Sequence, residues 1–380
     1  MSKGGRGLLL VVVCVMLAIG LRADIPPVDT SEVHAVLLES LSTDVEDGGD
    51  QTSTDSVLKL NREQLIESLD QKKYAKYIST LKPESHVIPG LKQTRFGEGE
   101  VCNTMVPQGV CIAGKYLLIS AYDSVYKVKG RSKYYKAYSH ERHSSVLYVM
   151  ERETGRYLTT LVLGDSKCHV GSIAYNEDDD LLYVADSDYG YVWELDFQDV
   201  IRAVWDCGLY GTDPGYLKLA HYFKVKNRPS ALCYYRGRVY VGECADNFSN
   251  SFNNRMFVYT PDGLWMRDST IDLPYHTQGV GFAELDDRIY MLVSCSRGRY
   301  MSSTLYIYSI KESEMDLMVQ DTLAEIPYPN MSEDIAVDGE DVLSCYESGS
   351  NFYHIPLDGV GISRNPVDRI MVNSVRELLD

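Results

Sequence analysis

Apolar and polar positions change rhythm three times along this chain. Leu8–Gly20 is an unbroken apolar run of 13 residues behind Lys3 and Arg6. A membrane-spanning helix needs about 20 such residues, so the run is too short to cross. A basic start, a short apolar stretch and small residues after it predict a signal peptide over 1–23. Ala18-Ile19-Gly20 is the better cleavage site and Leu21-Arg22-Ala23 the second. No second apolar span follows, so the expected mature protein is secreted, extracellular and without a membrane span.

The second stretch is polar. Residues 24–60 carry nine acidic side chains and one lysine, with Gly48-Gly49 and many Ser and Thr. Such a segment buries too little apolar surface to offset its ordering entropy, which predicts an acidic disordered segment. Residues 61–82 then read as helical. Asn61 is placed to cap, Ile66, Leu69, Tyr77 and Leu81 approximate one face, and Pro83 ends the pattern. The expected helical extension and linker cover 61–99.

From 100 to 380 the period falls to two, and the pattern repeats. Five segments share one layout: 107–123, 169–188, 228–246, 277–298 and 332–348. Each has a polar or glycine-containing start, an apolar strand, a turn and a second apolar strand. Near the end of each second strand sits a small residue: Ala121, Ala185, Cys244, Cys295 and Cys345. A third strand follows at 146–155, 191–196, 256–263, 304–310 and 351–358. A fourth, less regular strand closes each unit, as in Tyr157–Leu163 and Arg369–Val372. Four antiparallel strands repeating at about 50–60 residues predict an all-β fold, a β-propeller of about five blades. A sixth blade has room in 86–106 or 197–227.

The segment PQG…LLISAYD…SVLYVMERETGRYLTTLVL…HVGSIAY…LLYVAD resembles secreted propellers of the broad lactonase, NHL-repeat and strictosidine-synthase-like group. The likeness covers roughly 100–373. It implies a propeller and leaves function open, because those families include enzymes, ligand readers and scaffolds. Lactonase-type members hold calcium with one Glu, two Asn and one Asp. No such set maps onto this chain, since Gln108 and Gln278 occupy the strand starts.

The blade pattern puts the start of strand one and the end of strand two on one rim. Strand starts supply Gln108, His169, Arg228, Gln278, Glu333 and Asp334. Strand ends supply Asp123, Glu243, Asp246 and Arg297, with Asp186, Asp188 and Glu347 beside them. This mixed ring predicts recognition of a polar ligand: a glycan, a peptide or a small metabolite. The alternative is a calcium-supported extracellular hydrolase, lactonase-, glycosidase- or nucleotidase-like. No catalytic residue is assigned, and no cofactor beyond calcium comes into question.

Formal charge is −17, and −20 once Lys3, Arg6 and Arg22 leave with the signal. That excludes nucleic acid as the expected partner, because it requires a basic surface. One segment breaks the acidic trend. Residues 127–143 carry Lys127, Lys129, Arg131, Lys133, Lys136 and Arg142 among tyrosines, and are expected to overhang the rim as a clamp or lid. Eight cysteines remain after Cys14 leaves, an even number that permits disulfides in an exported chain. Asn247-Phe248-Ser249 and Asn330-Met331-Ser332 are N-glycosylation triplets. The sequence holds no serine-nucleophile elbow, P-loop, HExxH or EF-hand loop.

Overall fold

The strands are short and apolar at almost every position, with little of the alternation expected of a sheet that faces water. The reason is visible in the computed structural model, which describes residues 51–97, 99–125, 142–164, 166–244, 255–312, 317–354 and 361–380. Five four-stranded antiparallel units stand around one axis, and each sheet is covered on both faces by its neighbours. Blade 1 comprises Met105–Ala113, Tyr116–Asp123, Val146–Glu151 and Tyr157–Leu163, from the axis outwards. Blade 2 follows with Ile173–Asn176, Leu181–Asp186, Tyr191–Asp196 and His221–Lys224. Blade 3 has Ala231–Tyr235, Arg238–Gly242, Arg255–Tyr259 and Trp265–Asp272. Blade 4 has Thr277–Leu285, Arg288–Cys295, Ser303–Glu312 and Leu317–Tyr328. The inner strands touch one another in sequence, and that of blade 5 returns to blade 1.

Blade 5 closes the ring with both ends of the unit. Ser332–Asp338, Asp341–Tyr346 and Arg369–Ser374 come from the C-terminal side, and the outermost strand is Leu81–Val87. The region expected as linker is therefore part of the last blade. The expected single helix is two short ones, Arg62–Ser68 and Ala75–Ser79. Asn61 caps the first, with Gln64 returning the bond in a capping box. The buried face is Leu65, Leu69, Tyr74 and Tyr77, a register different from the expected one. The end of the expected disordered segment also has structure: Ser56 and Leu58 donate to Asp368, at 2.5 and 3.2 Å. The signal-peptide region and residues 24–50 lie outside the described residues.

The core is divided among the seams between blades. Five buried clusters each combine side chains of two neighbouring blades. Along Tyr116–Asp123, Leu118 turns to blade 2 while Leu117 and Ile119 turn to blade 5. Period two thus persists, but both faces are apolar.

Two expectations about blade number and strands change. Residues 197–227 do not hold a sixth blade. Asp196 caps a helix, Phe197–Tyr210, whose Phe197, Val200 and Cys207 are buried, and Gly211 ends it in the left-handed conformation. Gly215–Leu217 then adds in parallel to the edge of blade 1. The segment expected as the third strand of blade 5 starts as a helical turn, Asn351–His354, and Arg369–Ser374 fills that place. Among the described residues no helix is long and apolar enough to cross a membrane. Among the described residues no two cysteines form a disulfide. Burial pushes the Cys102, Cys168, Cys233 and Cys295 thiols up to about 12, which keeps them neutral.

Candidate functional site

Register pairs strand starts with strand ends: Met105 faces Asp123, Thr277 faces Cys295 and Ser332 faces Tyr346. One end of the axis therefore gathers the polar groups. Further in, the channel is narrow, about 110 Å³, lined by residues such as Val110, Tyr175, Cys233, Phe282 and Val337.

At the mouth the side chains are bonded mainly to each other. His169 Nε2 lies 2.7 Å from Gln108 Oε1, and Gln108 Nε2 donates to Glu347 Oε2 at 2.9 Å. Glu347 and Glu333 are neighbouring carboxyls. Burial pushes the Glu347 carboxyl up to about 7, against the bond from Gln108. Burial, with the adjacent Glu347, also raises the Glu333 carboxyl well above the usual carboxylate range. Desolvation lowers the His169 imidazole to about 4, with Asp188 opposing, so it is neutral at pH 7. Its backbone N–H donates to Asp188 Oδ2 at 3.0 Å.

Asp334 lies behind the rim. It is fully buried, and its Oδ2 accepts from Val110 N at 3.2 Å and Ser172 Oγ at 2.6 Å. One carboxyl of blade 5 thus joins the inner strands of blades 1 and 2. Asp123 is also buried and committed. Its oxygens accept from Thr104 Oγ1 at 2.6 Å, Val125 N at 3.1 Å and His143 N at 2.9 Å. His143 Nδ1 is a further 2.8 Å neighbour. Burial alone would raise this carboxyl, but the bonds from His143 and Thr104 hold it at about 2. Arg228 and Arg297 are exposed, and Gln278 is half-buried. Glu243 is half-buried and raised by burial, with Arg228 opposing the shift. Asp246 lies outside the described residues, as do Lys127, Lys129, Arg131, Lys133 and Lys136.

Donor atoms of Cys102, Asp123 and His143 lie within 4.8 Å of one another, the spacing a metal ion requires. Both oxygens of Asp123 are already hydrogen-bonded, so the group forms a closed knot that fits a metal poorly. Of the carboxylates expected to serve calcium, Asp123 is in this knot, Glu333 lies beside Glu347, Glu243 stands near Arg228, and Asp246 is outside the described residues. The triplet at Asn330 is closed to glycosylation, because Asn330 is buried and donates to the Arg299 and Met301 carbonyls.

Beside the rim, between blades 1 and 2, a cleft of about 870 Å³ opens. Arg142, Lys167, Lys218, Asp186 and Asp188 supply its charges. Arg142 donates to the Asp123 carbonyl at 2.6 Å, stacks on Tyr122 and sits 3.8 Å from Asp188. Tyr122 in turn meets the His169 ring edge-on at 4.5 Å, which links cleft and rim. Tyr189, Tyr191 and Trp193 form the aromatic wall. Tyr191 and Trp193 share one strand face by their two-residue spacing, and Tyr222 packs on both, at 4.6 and 5.0 Å. Trp193 Nε1 donates to Asp186 Oδ2 at 3.3 Å.

The ring reading therefore found Gln108, His169 and Glu333 in one network. It undervalued Glu347 and missed the aromatic wall. The signal for the wall was present as Tyr-x-Tyr-x-Trp at 189–193, where period two brings three aromatics together.

No family model matches the chain, and no curated protein matches it. Three solved structures are similar at low identity. Hydrazine synthase of Kuenenia stuttgartiensis is 13% identical over 66% of this chain and 58% of that chain, TM-score 0.35. This chain thus spans less than two thirds of that one. A chain of the mitotic checkpoint complex is 12% identical over 73% of this chain and 82% of its own, TM-score 0.33. A chain of the nidogen/laminin complex is 11% identical over 64% and 73%, TM-score 0.35. What strand order and ring closure establish is the fold: the chain is a five-bladed β-propeller.

Proposed function

We propose that this chain is a secreted recognition propeller that binds a polar ligand on the face carrying the channel mouth. The observation that carries the reading is the cleft beside the mouth, roomy, mixed in charge and walled by exposed aromatics. Its size falls in the range of small-molecule sites, about 300–1,000 Å³. Secretion rests on the basic and apolar N-terminal run. The buried, neutral thiols suit an exported chain without requiring disulfides.

Recognition fits better than hydrolysis because of how the mouth carboxyls are used. Retaining glycoside cleavage needs two carboxyls held about 5–5.5 Å apart across a substrate, and inverting cleavage needs them further apart. Glu333 and Glu347 are instead buried beside each other, with Glu347 accepting from Gln108. Asp123 and Asp334 accept bonds from their own chain.

The test is a melt of the purified protein against panels of glycans, peptides and small polar metabolites, followed by product analysis. A true ligand at about 100 times its dissociation constant adds about 2.7 kcal/mol of stability. A shift without turnover is expected. Turnover of lactone, glycoside or phosphoanhydride, lost on chelation, would replace the reading with the hydrolase.

A further inference from the structure

The cleft between blades 1 and 2 narrows the class of ligand. Among the described residues its lining carries three cationic side chains, Arg142, Lys167 and Lys218, and two carboxylates, Asp186 and Asp188. That local excess is positive in a chain whose formal charge is −17. A cationic ligand meets the three bases, so an ammonium held in an aromatic cage is disfavoured. A polyanion meets the two carboxylates. What remains is a largely neutral molecule rich in both donors and acceptors, bearing about one negative charge.

The aromatic wall narrows it further. Tyr189 is 71% exposed, a large ring face left to solvent, and Tyr191 and Trp193 beside it are half-buried. Tyr189 and Tyr191 lie nearly parallel, 13° apart with centroids at 6.4 Å. Flat rings with polar tips cover a ligand that has one apolar face and a polar rim. A pyranose is such a ligand: its C–H face stacks, and its hydroxyls radiate toward carboxylate and ammonium groups. The wall is also held in place. Tyr222 wedges against both Tyr191 and Trp193, and Asp186 pins the indole N–H while accepting from Tyr189 N at 3.0 Å. A preorganised wall loses little freedom on binding.

We propose that this cleft binds an oligosaccharide that carries one acidic sugar. The proposal rests on the recognition reading above and names its ligand. Stacking on Tyr189, Tyr191 and Trp193 supplies affinity, and the Arg142, Lys167 and Lys218 side chains select the acidic residue. Asp188 accepts from ring hydroxyls, and Asp186 orients Trp193.

The experiment is a fluorescence titration of the full chain, since Trp193 is one of three tryptophans. The probes are a hexuronate trisaccharide, a neutral hexose trisaccharide of equal length, and an acidic peptide. The uronate is expected to bind several-fold tighter than the neutral sugar, and the peptide not to bind. Trp193→Ala, read by titration calorimetry because it removes the fluorescent reporter, should weaken the uronate about tenfold, and so should the well-exposed Tyr189→Ala, which spares folding. Lys218→Gln should cost about threefold for the uronate and nothing for the neutral sugar. Sugar binding that survives Tyr189→Ala and Trp193→Ala would move the site out of the cleft. Binding of the peptide alone would overturn the ligand class and leave recognition standing. A folded protein whose melting point no glycan, peptide or metabolite panel shifts would sink both readings.

Discussion

Four seams of the propeller and its fifth are held differently. Between blades 1 and 2, Ser120 Oγ donates to the Val170 carbonyl at 2.9 Å. Between 2 and 3, Ser187 donates to the Pro229 carbonyl. Ser230 reaches Thr277 O at 3.4 Å, and Ser294 meets Ser332 at 3.1 Å. These pins are short, neutral and cheap to desolvate. They lie where glycines let neighbours approach: a Cβ at Gly109 would stand 2.7 Å from Ile173 N. Near the axis the seam between blades 5 and 1 has buried carboxyls instead, Asp334 to Val110 and Glu347 to Gln108, whereas the carboxylates that cross other seams, such as Glu284 to Arg236 and Asp286 to Arg376, are exposed. The first four seams join blades that follow directly along the chain. The fifth joins its two ends, so it needs stronger and longer-reaching groups and a strand from the N-terminal side.

The largest expected effect comes from removing that strand's support. Tyr77 is fully buried, edge-on to Tyr328 at 4.6 Å, and its hydroxyl accepts from Tyr346. Tyr77→Ala should cost about 3–5 kcal/mol in urea unfolding. Deleting residues 51–87 should abolish cooperative unfolding altogether. A truncated chain that still melts in one transition would show that the fifth seam closes without its strap.

Next are the carboxyls. Asp334→Ala leaves the Val110 N–H and the Ser172 hydroxyl without their acceptor, at about 2–4 kcal/mol. Burial raises the Asp334 carboxyl, so Asp334→Asn keeps the acceptor and should cost under about 1 kcal/mol. The seam should also respond to pH. A carboxyl raised in the fold binds protons that the unfolded chain has released, so its contribution is full below about 4.5 and falls as pH rises through about 7. His169, lowered to about 4, runs the other way: its contribution is lost as pH falls from 6.5 toward 4. Glu347→Gln should therefore flatten the alkaline decline, and His169→Gln should steepen it, both read as unfolding midpoints between pH 4 and 8. Parallel profiles for wild type and Glu347→Gln would remove the raised Glu347 carboxyl from the account of this seam.

This contrast also marks what the residues disclosed in advance. The blades were legible because turn residues and period-two strands are local signals, and five copies reinforce one another. The rim was legible in outline because register follows from the hairpins. The strap was not: Leu81–Val87 carries Lys82, Pro83 and Glu84, and only pairing with Arg369–Ser374 makes it a strand. Nor could the residues separate Glu333 from Asp334. They are adjacent on one strand, yet one joins the mouth and the other the hub, a difference set by blades 1 and 2. The cleft was hidden for the same reason, since its walls come from two blades and an insertion.

A lost serine hydroxyl gives the sharpest comparison. Ser120→Ala removes a hydroxyl that donates to Val170 O and accepts from Gly109 N at 2.8 Å. Its loss should cost about 1–2 kcal/mol, with no change between pH 4 and 8, because neither partner titrates. That places it below Asp334→Ala in magnitude and apart from Glu347→Gln in pH profile. The two seams sit side by side on blade 1, whose inner strand meets blade 5 on one flank and blade 2 on the other. Differences in general blade stability therefore cancel between the variants. A Ser120→Ala cost equal to that of Asp334→Ala would mean that ring closure carries no special load, and that the carboxyls at the mouth are held there for the ligand face alone.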